Sequence, residues 1–183
     1  MPYTPPSTVT GSDVLTAALW NTQVKDNLNT LYKPPACLVR RTTQLTPFTS
    51  GTAVTWEGAI YDTTGPGSPM FSLASPTRVT IQVTGLYLID AYIIINSTST
   101  ITVPTGLVIA VNGTTKFNTL LAISGLLPTA NQSVATTLSL AAGDYIEAKP
   151  SSTTGGTLSI NGNATNYHFV QSRLSVAWLG STT

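Results

Sequence analysis

The segment from Gly85 to Asn96 constrains the fold of this chain more than any other, because it is apolar on both sides of a strand. Side chains alternate between the two faces of a β-strand, so every second residue shares a face. In an antiparallel sandwich one face packs into the core and the other normally meets water. One face of this segment carries Tyr87, Ile89, Ala91, Ile93 and Ile95, and the other carries Leu86, Leu88, Tyr92 and Ile94.

The second apolar face of this segment requires a cover of its own. Left exposed, its large side chains would form an apolar patch of several hundred Å², which monomeric proteins rarely leave uncovered. The cover is either a loop or arm of the same chain or another subunit. Charged residues make up only 8% of the chain, against roughly 25% in an average soluble domain, and this favours the subunit. The sequence therefore predicts an oligomer interface on this face, formed by Leu86, Leu88, Tyr92 and Ile94.

The same period of two runs through most of the chain, from Cys37 to Leu179. Between Thr77 and Thr84 apolar and polar residues alternate, as in a strand with one buried face. Asn112-Gly113 separates two further segments of this kind and is the strongest short hairpin signal. About eight to ten short strands separated by turn residues predict an all-β fold, an antiparallel sandwich or barrel.

Threonine and serine replace the missing charge. The chain contains 33 Thr and 17 Ser, more than a quarter of its residues, while 42% of residues are hydrophobic. The apolar content excludes a charge-rich disordered tail, and the shortage of charge excludes a long solvent-exposed helical bundle. The net charge is +1 and the basic residues are scattered, which argues against a nucleic-acid-binding protein. No run of about 18 apolar residues occurs, so we expect no membrane insertion.

One short helix is predicted near the N-terminus, from Ser12 to Tyr32. Ser12 or Asp13 can cap it, since both side chains accept hydrogen bonds from the first free N–H groups of a helix. Pro34 ends it, because the residue before a proline avoids the α region. The chain therefore divides into residues 1–35, an extended arm and helix for attachment or oligomerisation, and residues 36–183, the β-sandwich.

The predicted helix carries an apolar row at spacings of three and four residues. The row consists of Val14, Ala17, Asn21, Val24, Leu28 and Leu31. It either docks on its own domain or forms a short parallel bundle around an oligomer axis, where Asn21 would fix register and strand number. Leu15, Leu19 and Trp20 lie off the row and need a further apolar surface, for which a partner protein is one candidate.

Catalytic and metal-binding groups are scarce in this sequence. The chain has one histidine, His168, and one cysteine, Cys37, so a His/Cys metal site within one chain is impossible. No Gly-x-Ser-x-Gly elbow and no phosphate-binding P-loop occurs. Asp90 has apolar neighbours, and we expect an arginine, Arg78 or Arg173, to pair with it. We therefore predict a protein that is not an enzyme and that binds no cofactor and no metal.

Three motifs follow one another along the β-region: a Gly-x-Tyr segment at Thr84–Ile89, a hairpin at Val108–Lys116, and a Leu-x-x-Gly-Asp-x-Val-like hairpin at Leu138–Ile146. Together they resemble the corresponding strand and hairpins in the jelly roll of tumour necrosis factor and the complement globular head. Ser172–Leu179 lies where the closing strand would, without the usual aromatic-Ser-Gly pattern. The resemblance covers about residues 36–180 and implies an antiparallel jelly-roll sandwich that is typically a homotrimer.

The head of the chain resembles the N-terminal segment of minor structural proteins of tailed bacteriophages. The matching residues are Val14–Asn21 and Lys25–Leu28, with Lys25 at a position that is often Arg. This resemblance implies a virion protein, assembled in the host cytoplasm and extracellular in the mature particle. The N-terminal segment would bind other virion proteins, and the jelly roll would be displayed as a capsid decoration protein or a tail-tip or fibre protein.

Two other functions are compatible with the sequence. A host-surface glycan-binding adhesin would need exposed aromatic platforms, for which Trp56 and Tyr61 are the first candidates and Tyr145 and Tyr167 the others. The simpler interpretation of all four is packing in the core or in an interface. A trimeric jelly-roll binding protein of cellular origin is the remaining interpretation.

Overall fold

The computed structural model describes residues 16–63, 68–101, 105–121, 127–152, 158–161 and 171–182. Within them, two antiparallel sheets share one hydrophobic core behind an N-terminal helical segment. The helical segment consists of α1 (Ala17–Trp20), a π-helical turn (Asn21–Lys25) and α2 (Asp26–Tyr32). The strands are β1 (Ala36–Arg40), β2 (Leu45–Phe48), β3 (Gly58–Thr63), β4 (Val79–Thr80), β5 (Gly85–Ile101), β6 (Thr105–Val111), β7 (Thr114–Leu121), β8 (Leu127–Leu140), β9 (Tyr145–Ser152), β10 (Leu158–Ile160) and β11 (Arg173–Gly180).

Strand β5 lies at the centre of the larger, seven-stranded sheet. It pairs with β8 along one edge, and with β11 and then β10 along the other. The sheet continues from β11 to β1 and β3, and from β10 to β2. The smaller sheet has four strands in the order β4-β9-β6-β7, and the described pairings in both sheets are antiparallel. The predicted all-β antiparallel sandwich is confirmed.

The core is built from the alternating side chains of facing strands. Along β5, the face predicted to be internal is completely buried: its five apolar residues, Tyr87 to Ile95 at every second position, are 0% exposed. The closing strand β11 contributes Leu174 and Val176 to the same core, as its alternation predicts. From the smaller sheet, Leu107 and Ile109 of β6 complete the packing.

Gly85, at the start of β5, is required by a close approach of the closing strand. A Cβ atom at this position would lie 2.1 Å from Nε1 of Trp178 and 2.4 Å from the carbonyl oxygen of Gly180. Two residues later, the buried Tyr87 hydroxyl donates a hydrogen bond of 2.6 Å to the Val83 carbonyl oxygen. The Gly-x-Tyr pattern therefore has a physical reason here, because the glycine makes room for an indole and the tyrosine ties the strand to the turn before it.

The hairpin predicted at Asn112-Gly113 is present between β6 and β7. Both residues have positive φ, 52° and 78°, as the tightest hairpin turns require. The Asn112 side chain also binds the neighbouring turn: its Nδ2 donates to Asp144 Oδ1 at 2.7 Å, and its Oδ1 accepts from the Tyr145 N–H at 3.0 Å. The β6–β7 and β8–β9 turns are thereby joined at one end of the sandwich.

One predicted strand is shorter than expected. The segment Thr77–Thr84 forms only the two-residue strand β4, because Ile81 bonds to the β8–β9 turn instead, through Asp144 and Gly143. Its burial still alternates, with Val79, Ile81 and Val83 inside. Asn161-Gly162 is a further turn signal in the sequence, and its Gly162 lies outside the described residues.

The N-terminal helix also begins later than predicted. Thr16 has an extended backbone, and its side-chain oxygen accepts a hydrogen bond of 3.1 Å from the Leu19 N–H, so Thr16 is the cap. The predicted start and caps, Ser12 and Asp13, lie outside the described residues. The end of the helix is as predicted, at Tyr32 before the two prolines.

Candidate functional site

The side of the seven-stranded sheet that faces away from the core, here called the outer face, is the candidate functional surface. Leu86 is 36% and Leu88 41% exposed, although both lie on the central strand with neighbours on either side. The register places the following residues on this face: Ala36, Leu38 and Arg40 of β1, Tyr61 of β3, Leu86, Leu88, Asp90 and Tyr92 of β5, and Arg173, Ser175 and Ala177 of β11.

The outer face changes from apolar to charged along the strands. Directly opposed residues on β5, β11 and β1 form three successive rows: Leu88, Ala177 and Ala36; Asp90, Ser175 and Leu38; and Tyr92, Arg173 and Arg40. Directly opposed side chains in a sheet lie close enough to interact. The outer face is therefore apolar at one end and carries two neighbouring arginines at the other.

Three of the four residues predicted to form the interface remain accessible, and one does not. Leu86 and Leu88 are exposed and Tyr92 is partly buried, but Ile94 is only 6% exposed. Ile94 lies at the end of the outer face, where β10 replaces β11 beside β5. There, the Ser172 hydroxyl accepts from the Ile94 N–H at 3.1 Å and donates to the Asn161 carbonyl at 2.9 Å, which ties the three strands together. Ile94 is thus covered within one chain, and its assignment to the interface is wrong.

The predicted aromatic platforms do not form a common site. Trp56 is 1% exposed and belongs to the core, so its assignment as an exposed ligand platform is wrong. Tyr61 is exposed and lies opposite Leu38, which makes it part of the outer face. Tyr145 is partly buried beneath the Arg78 guanidinium, 4.9 Å from its ring centroid, and Tyr167 lies outside the described residues.

The predicted pairing of Asp90 with Arg78 or Arg173 is not formed. Two ion pairs occur among the described residues, Arg41–Glu57 at 3.2 Å and Lys149–Glu147 at 3.0 Å. Arg78 instead donates to Ser75 Oγ at 3.2 Å while it stacks on Tyr145.

Arg173 contacts an aromatic ring in place of a carboxylate. Its guanidinium lies 5.7 Å from the ring centroid of Tyr92. Burial raises the pKa of Tyr92, while the positive charge of Arg173 partly opposes that shift. Tyr92 and Arg173 are directly opposed on the outer face, and Asp90 lies two residues before Tyr92 on the same side of β5.

The helix presents most of its large apolar side chains to solvent. Trp20, Leu28 and Leu31 are exposed, and Leu19 and Val24 are partly buried. The polar residues Asn27 and Thr30 are buried instead, with the Thr30 hydroxyl bonded to the Asp26 carbonyl at 3.0 Å.

This arrangement decides one alternative for the helix row. Docking of the row on its own domain does not hold for Leu28 and Leu31, since both side chains remain exposed. Asn21, the predicted register residue, is exposed as well, and it begins the π-helical turn that interrupts the three–four spacing. Val14 and Leu15 lie outside the described residues.

The single cysteine is held as a neutral thiol in the core. Cys37 is completely buried opposite Asp62 in the β1–β3 pairing. Burial, together with the neighbouring Asp62 carboxylate, raises the pKa of the thiol from 9.0 to about 12. The same carboxylate accepts the backbone N–H groups of Met70 at 3.0 Å and Phe71 at 2.8 Å. This cluster anchors a loop, and a protonated buried thiol is a poor nucleophile.

Glu57 forms a second polar anchor, at the turn after β1. Its carboxylate accepts the N–H and hydroxyl groups of Thr42 and Thr43, and it pairs with the buried Arg41 guanidinium. Burial alone would raise the pKa of Glu57, but these hydrogen bonds outweigh it and lower the pKa from 4.5 to about 2. The anchor fixes the chain between β1 and β2.

A cleft of about 500 Å³ lies between the joined hairpin turns and β8. Its described lining consists of Val111, Asn112, Thr114, Lys116, Leu138, Ser139, Leu140 and Asp144. No aromatic side chain is among these residues, and Asp144 is already bonded to Asn112 and to the Ala141 N–H. The described lining of the cleft therefore offers no aromatic surface on which a sugar could stack.

The described ranges contain neither a cluster of metal-binding side chains nor a membrane-spanning helix. No group of three or more His, Cys, Asp or Glu residues in this part of the chain is placed to hold a metal ion. None of the helices described has the length and apolar character needed to cross a membrane. His168 lies outside the described residues.

The fold is shared by known structures of low sequence identity. The Eiger TNF of S. frugiperda matches with a TM-score of 0.59 and 16% identity, over 81% of this chain and 94% of that chain. The globular domain of zebrafish complement 1qA matches with a TM-score of 0.56 and 14% identity, over 80% and 98% of the two chains. Murine APRIL matches with a TM-score of 0.56 and 18% identity, over 79% and 98%.

The chain has a TNF/C1q-like jelly-roll fold. The jelly roll predicted from the Gly-x-Tyr strand and the two hairpins is thereby confirmed. No protein-family model and no curated protein matches the sequence. None of the three structures named above is a bacteriophage protein, and the virion role stays a prediction.

Proposed function

We propose that this protein is a non-enzymatic structural or binding protein that assembles as a homotrimer through the outer face. One observation carries the proposal: on the central strand β5 the inner residues are 0% exposed, whereas Leu86 and Leu88 are 36% and 41% exposed. A central strand that is apolar on both faces needs cover on both faces. A second copy of the chain supplies that cover.

The number of copies is taken from the fold. The jelly-roll family that the chain resembles is typically homotrimeric, and a threefold ring closes when each subunit contacts the next through two different patches. Different parts of the outer face, which is apolar around Leu88 and Ala177 at one end and charged at the other, can supply both patches. The remainder is rich in Thr and Ser, and because the net charge of the whole chain is only +1, it then forms a nearly neutral exterior.

The absence of catalysis is supported by how the reactive groups are used. The Cys37 thiol is buried, with its pKa raised to about 12. The carboxylates of Asp62 and Asp144 bind backbone N–H groups. The carboxylate of Glu57 bonds two threonines and Arg41. Each of these groups holds the fold together, which is a structural use.

A more specific placement, on the particle of a tailed bacteriophage, is also part of the proposal. Its support is the resemblance of Val14–Asn21 and Lys25–Leu28 to phage structural proteins, and the exposure of Trp20, Leu28 and Leu31, which suits attachment to another protein. The jelly roll itself fits a trimeric binding protein of cellular origin equally well. The helix is therefore the part of the chain on which the virion placement depends.

Sedimentation of the full chain tests the assembly. We expect a trimer at micromolar concentration, and a stable monomer at that concentration would overturn the proposal. The full chain carrying Leu28→Ser and Leu31→Ser measures the contribution of the helix. If trimers persist in this variant, the outer face alone is sufficient, and the exposed helix row is left for a different partner.

Copy number and binding distinguish the placements. A capsid decoration protein binds empty capsids stoichiometrically. A tail-tip or fibre protein is present in few copies, and an antibody against it blocks infection. A chain that trimerises but neither binds phage particles nor occurs in them fits the cellular binding protein instead.

A further inference from the structure

Asp90 is a partly buried carboxylate in the middle of the outer face, and it has no cationic partner within 4 Å among the described residues. It lies opposite Ser175 of β11 and Ala135 of β8, one register step from Leu88. The two arginines of the outer face, Arg40 and Arg173, lie in the next row.

Arg40 and Arg173 are directly opposed in the β1–β11 pairing, and both are exposed. Like charges at directly opposed positions destabilise a sheet unless something compensates them. Within the described residues neither guanidinium is paired with a carboxylate, and that of Arg173 rests on the Tyr92 ring. One copy of the chain thus presents two adjacent cations beside one isolated anion on the same face.

The remaining charges of the sandwich are already engaged or lie elsewhere. Glu57 pairs with Arg41 and Glu147 with Lys149. Asp62 and Asp144 bind backbone N–H groups. The other charged residues among those described are Asp26, Lys25 and Lys33 of the helical region, Arg78 on Tyr145, and Lys116 on β7 of the smaller sheet. Within the described sandwich, Asp90 has no cation nearby other than the two arginines of its own face.

Assembly changes the free-energy cost of leaving the Asp90 carboxylate without a cation. If the outer face is covered by another subunit, the water around Asp90 is removed together with that around Leu86 and Leu88. A carboxylate that loses its hydration without gaining a cation is strongly destabilising, whereas a hydrogen-bonded ion pair compensates much of that cost. The assembled interface must therefore bring a cation to Asp90.

Resting on the proposed function, we propose that the Asp90 carboxylate of each copy binds the Arg40–Arg173 pair of the next copy around the threefold axis. The carboxylate compensates the repulsion between the two guanidinium groups, and the guanidinium groups supply the cations that Asp90 lacks within one copy. It also fixes how far the subunits are rotated and shifted against each other, which an apolar surface alone specifies poorly. The partner recognised by this end of the outer face is thus a second copy of the same chain.

Pairing within one copy is the competing arrangement. Asp90 and Arg173 are diagonal neighbours on adjacent strands, a separation of roughly 7–8 Å that long side chains can bridge. In the structure the Arg173 side chain instead lies over Tyr92, at 5.7 Å. An experiment must therefore distinguish contacts between copies from contacts within one.

Mixing of charge-reversed full-length chains makes that distinction. The first variant carries Asp90→Arg and the second carries Arg40→Asp together with Arg173→Asp. Each variant alone places like charges at every proposed contact, and we expect the concentration for half-dissociation of its trimer to rise by about tenfold or more. In a trimer that contains both variants, two of the three interfaces again join opposite charges. We expect mixed trimers to exceed random proportions after co-expression, as counted by native mass spectrometry.

A matched control separates specific pairing from overall charge. The full chain with Lys33→Asp and Lys116→Asp changes the net charge by the same amount as the second variant, but at positions outside the rows that contain Asp90, Arg40 and Arg173. We expect no excess of mixed trimers when it is co-expressed with the Asp90→Arg chain. Circular dichroism of each variant establishes that it has folded, and Asp90→Asn provides a milder change if Asp90→Arg does not fold.

The outcomes separate this inference from the proposed function. Wild-type trimers together with random mixing of the reversed chains overturn the Asp90 contact and leave the trimer intact. Equal enrichment with the Lys33 and Lys116 control also overturns it, because net charge would then explain the result. A single chain carrying all three reversals that recovers stability without any enrichment in mixtures assigns the pair to one copy, against the proposal. A monomeric wild type overturns the proposed function and the contact together.

Discussion

The two faces of strand β5 carry similar apolar side chains, but a single chain buries them to different extents. On the inner face, Ile89 and Ile93 are 0% exposed, covered by the smaller sheet. On the outer face, Leu86 and Leu88 are 36% and 41% exposed, although they are equally apolar. Folding of a single chain therefore accounts for only one of the two apolar faces.

This difference separates the energetics of folding from those of assembly. Burial of apolar surface contributes roughly 25 cal/mol per Å², and on the inner face this contribution is complete in the monomer. On the outer face part of it becomes available only when another surface covers Leu86 and Leu88. Substitutions on the inner face should therefore act on unfolding, and substitutions on the outer face on association.

The largest expected effect is on the inner face. Ile89→Ala leaves a cavity between the sheets, and we expect it to lower the free energy of unfolding by about 2 to 5 kcal/mol. Ile60→Ala is the matched control, since Ile60 is exposed on β3, and we expect a change below about 0.5 kcal/mol. Chemical denaturation at several protein concentrations measures both. Similar losses in the two variants would contradict the placement of the core.

The next effect concerns the contact between β5 and the closing strand. Gly85→Ala places a Cβ atom 2.1 Å from Trp178 Nε1, so strand or indole must move, at a cost of about 1 to 3 kcal/mol. Gly58→Ala is the control, because a Cβ there has no neighbour within 4 Å. Thermal unfolding should separate the two variants clearly. An unchanged melting temperature for Gly85→Ala would show that the Trp178 contact is not as close as described.

Much of this inner arrangement can be predicted from the sequence, because period-two alternation and turn residues are local signals. Asn112-Gly113 predicts its hairpin without any knowledge of the rest of the chain, and its two positive φ angles confirm it. The alternation of Leu174 and Val176 likewise predicts which side of β11 is buried. The order of the strands is not a local property, and the family resemblance implied only an antiparallel jelly-roll sandwich.

The site is less predictable, since it depends on which strands become neighbours. Ile94 shares its face with Leu88 in the sequence, yet β10 and Ser172 meet at that point and Ile94 is buried. Val54 and Trp56 alternate with Thr55 and are both buried, so the local pattern does indicate that Trp56 enters the core, and the hypothesis of an exposed ligand platform overlooked it. The opposition of Arg40 and Arg173 arises from residues far apart in the chain, and no short-range pattern could reveal it.

On the outer face, Leu88→Ser tests association directly. The change removes an apolar side chain from the centre of the proposed interface, and we expect the trimer to dissociate at about tenfold or more higher concentration. Leu73→Ser is the matched control, because Leu73 is exposed in the loop between β3 and β4 and is not among the outer-face residues given above. Sedimentation across a dilution series measures both variants. Equal behaviour of the two would remove the distinction between the faces of β5.

The smallest expected effect is a pH-dependent change in the stability of the folded chain that leaves assembly unchanged. The lowered pKa of Glu57, about 2 against an ordinary 4.5, means that its charged form stabilises the folded chain. This contribution is complete above about pH 4.5 and is lost as the pH falls toward 2.

Substitution of Glu57 isolates that contribution. We expect Glu57→Gln to lower the free energy of unfolding by about 1 to 2 kcal/mol at neutral pH, since charged hydrogen bonds to Thr42 and Thr43 are weakened. Near pH 2 the difference from the wild type should shrink, as about half of the wild-type carboxyl groups are then protonated. Denaturation at the two pH values measures it. Because Glu57 belongs to the anchor between β1 and β2, trimer dissociation at neutral pH should not change, and a change there would mean that this turn also takes part in association.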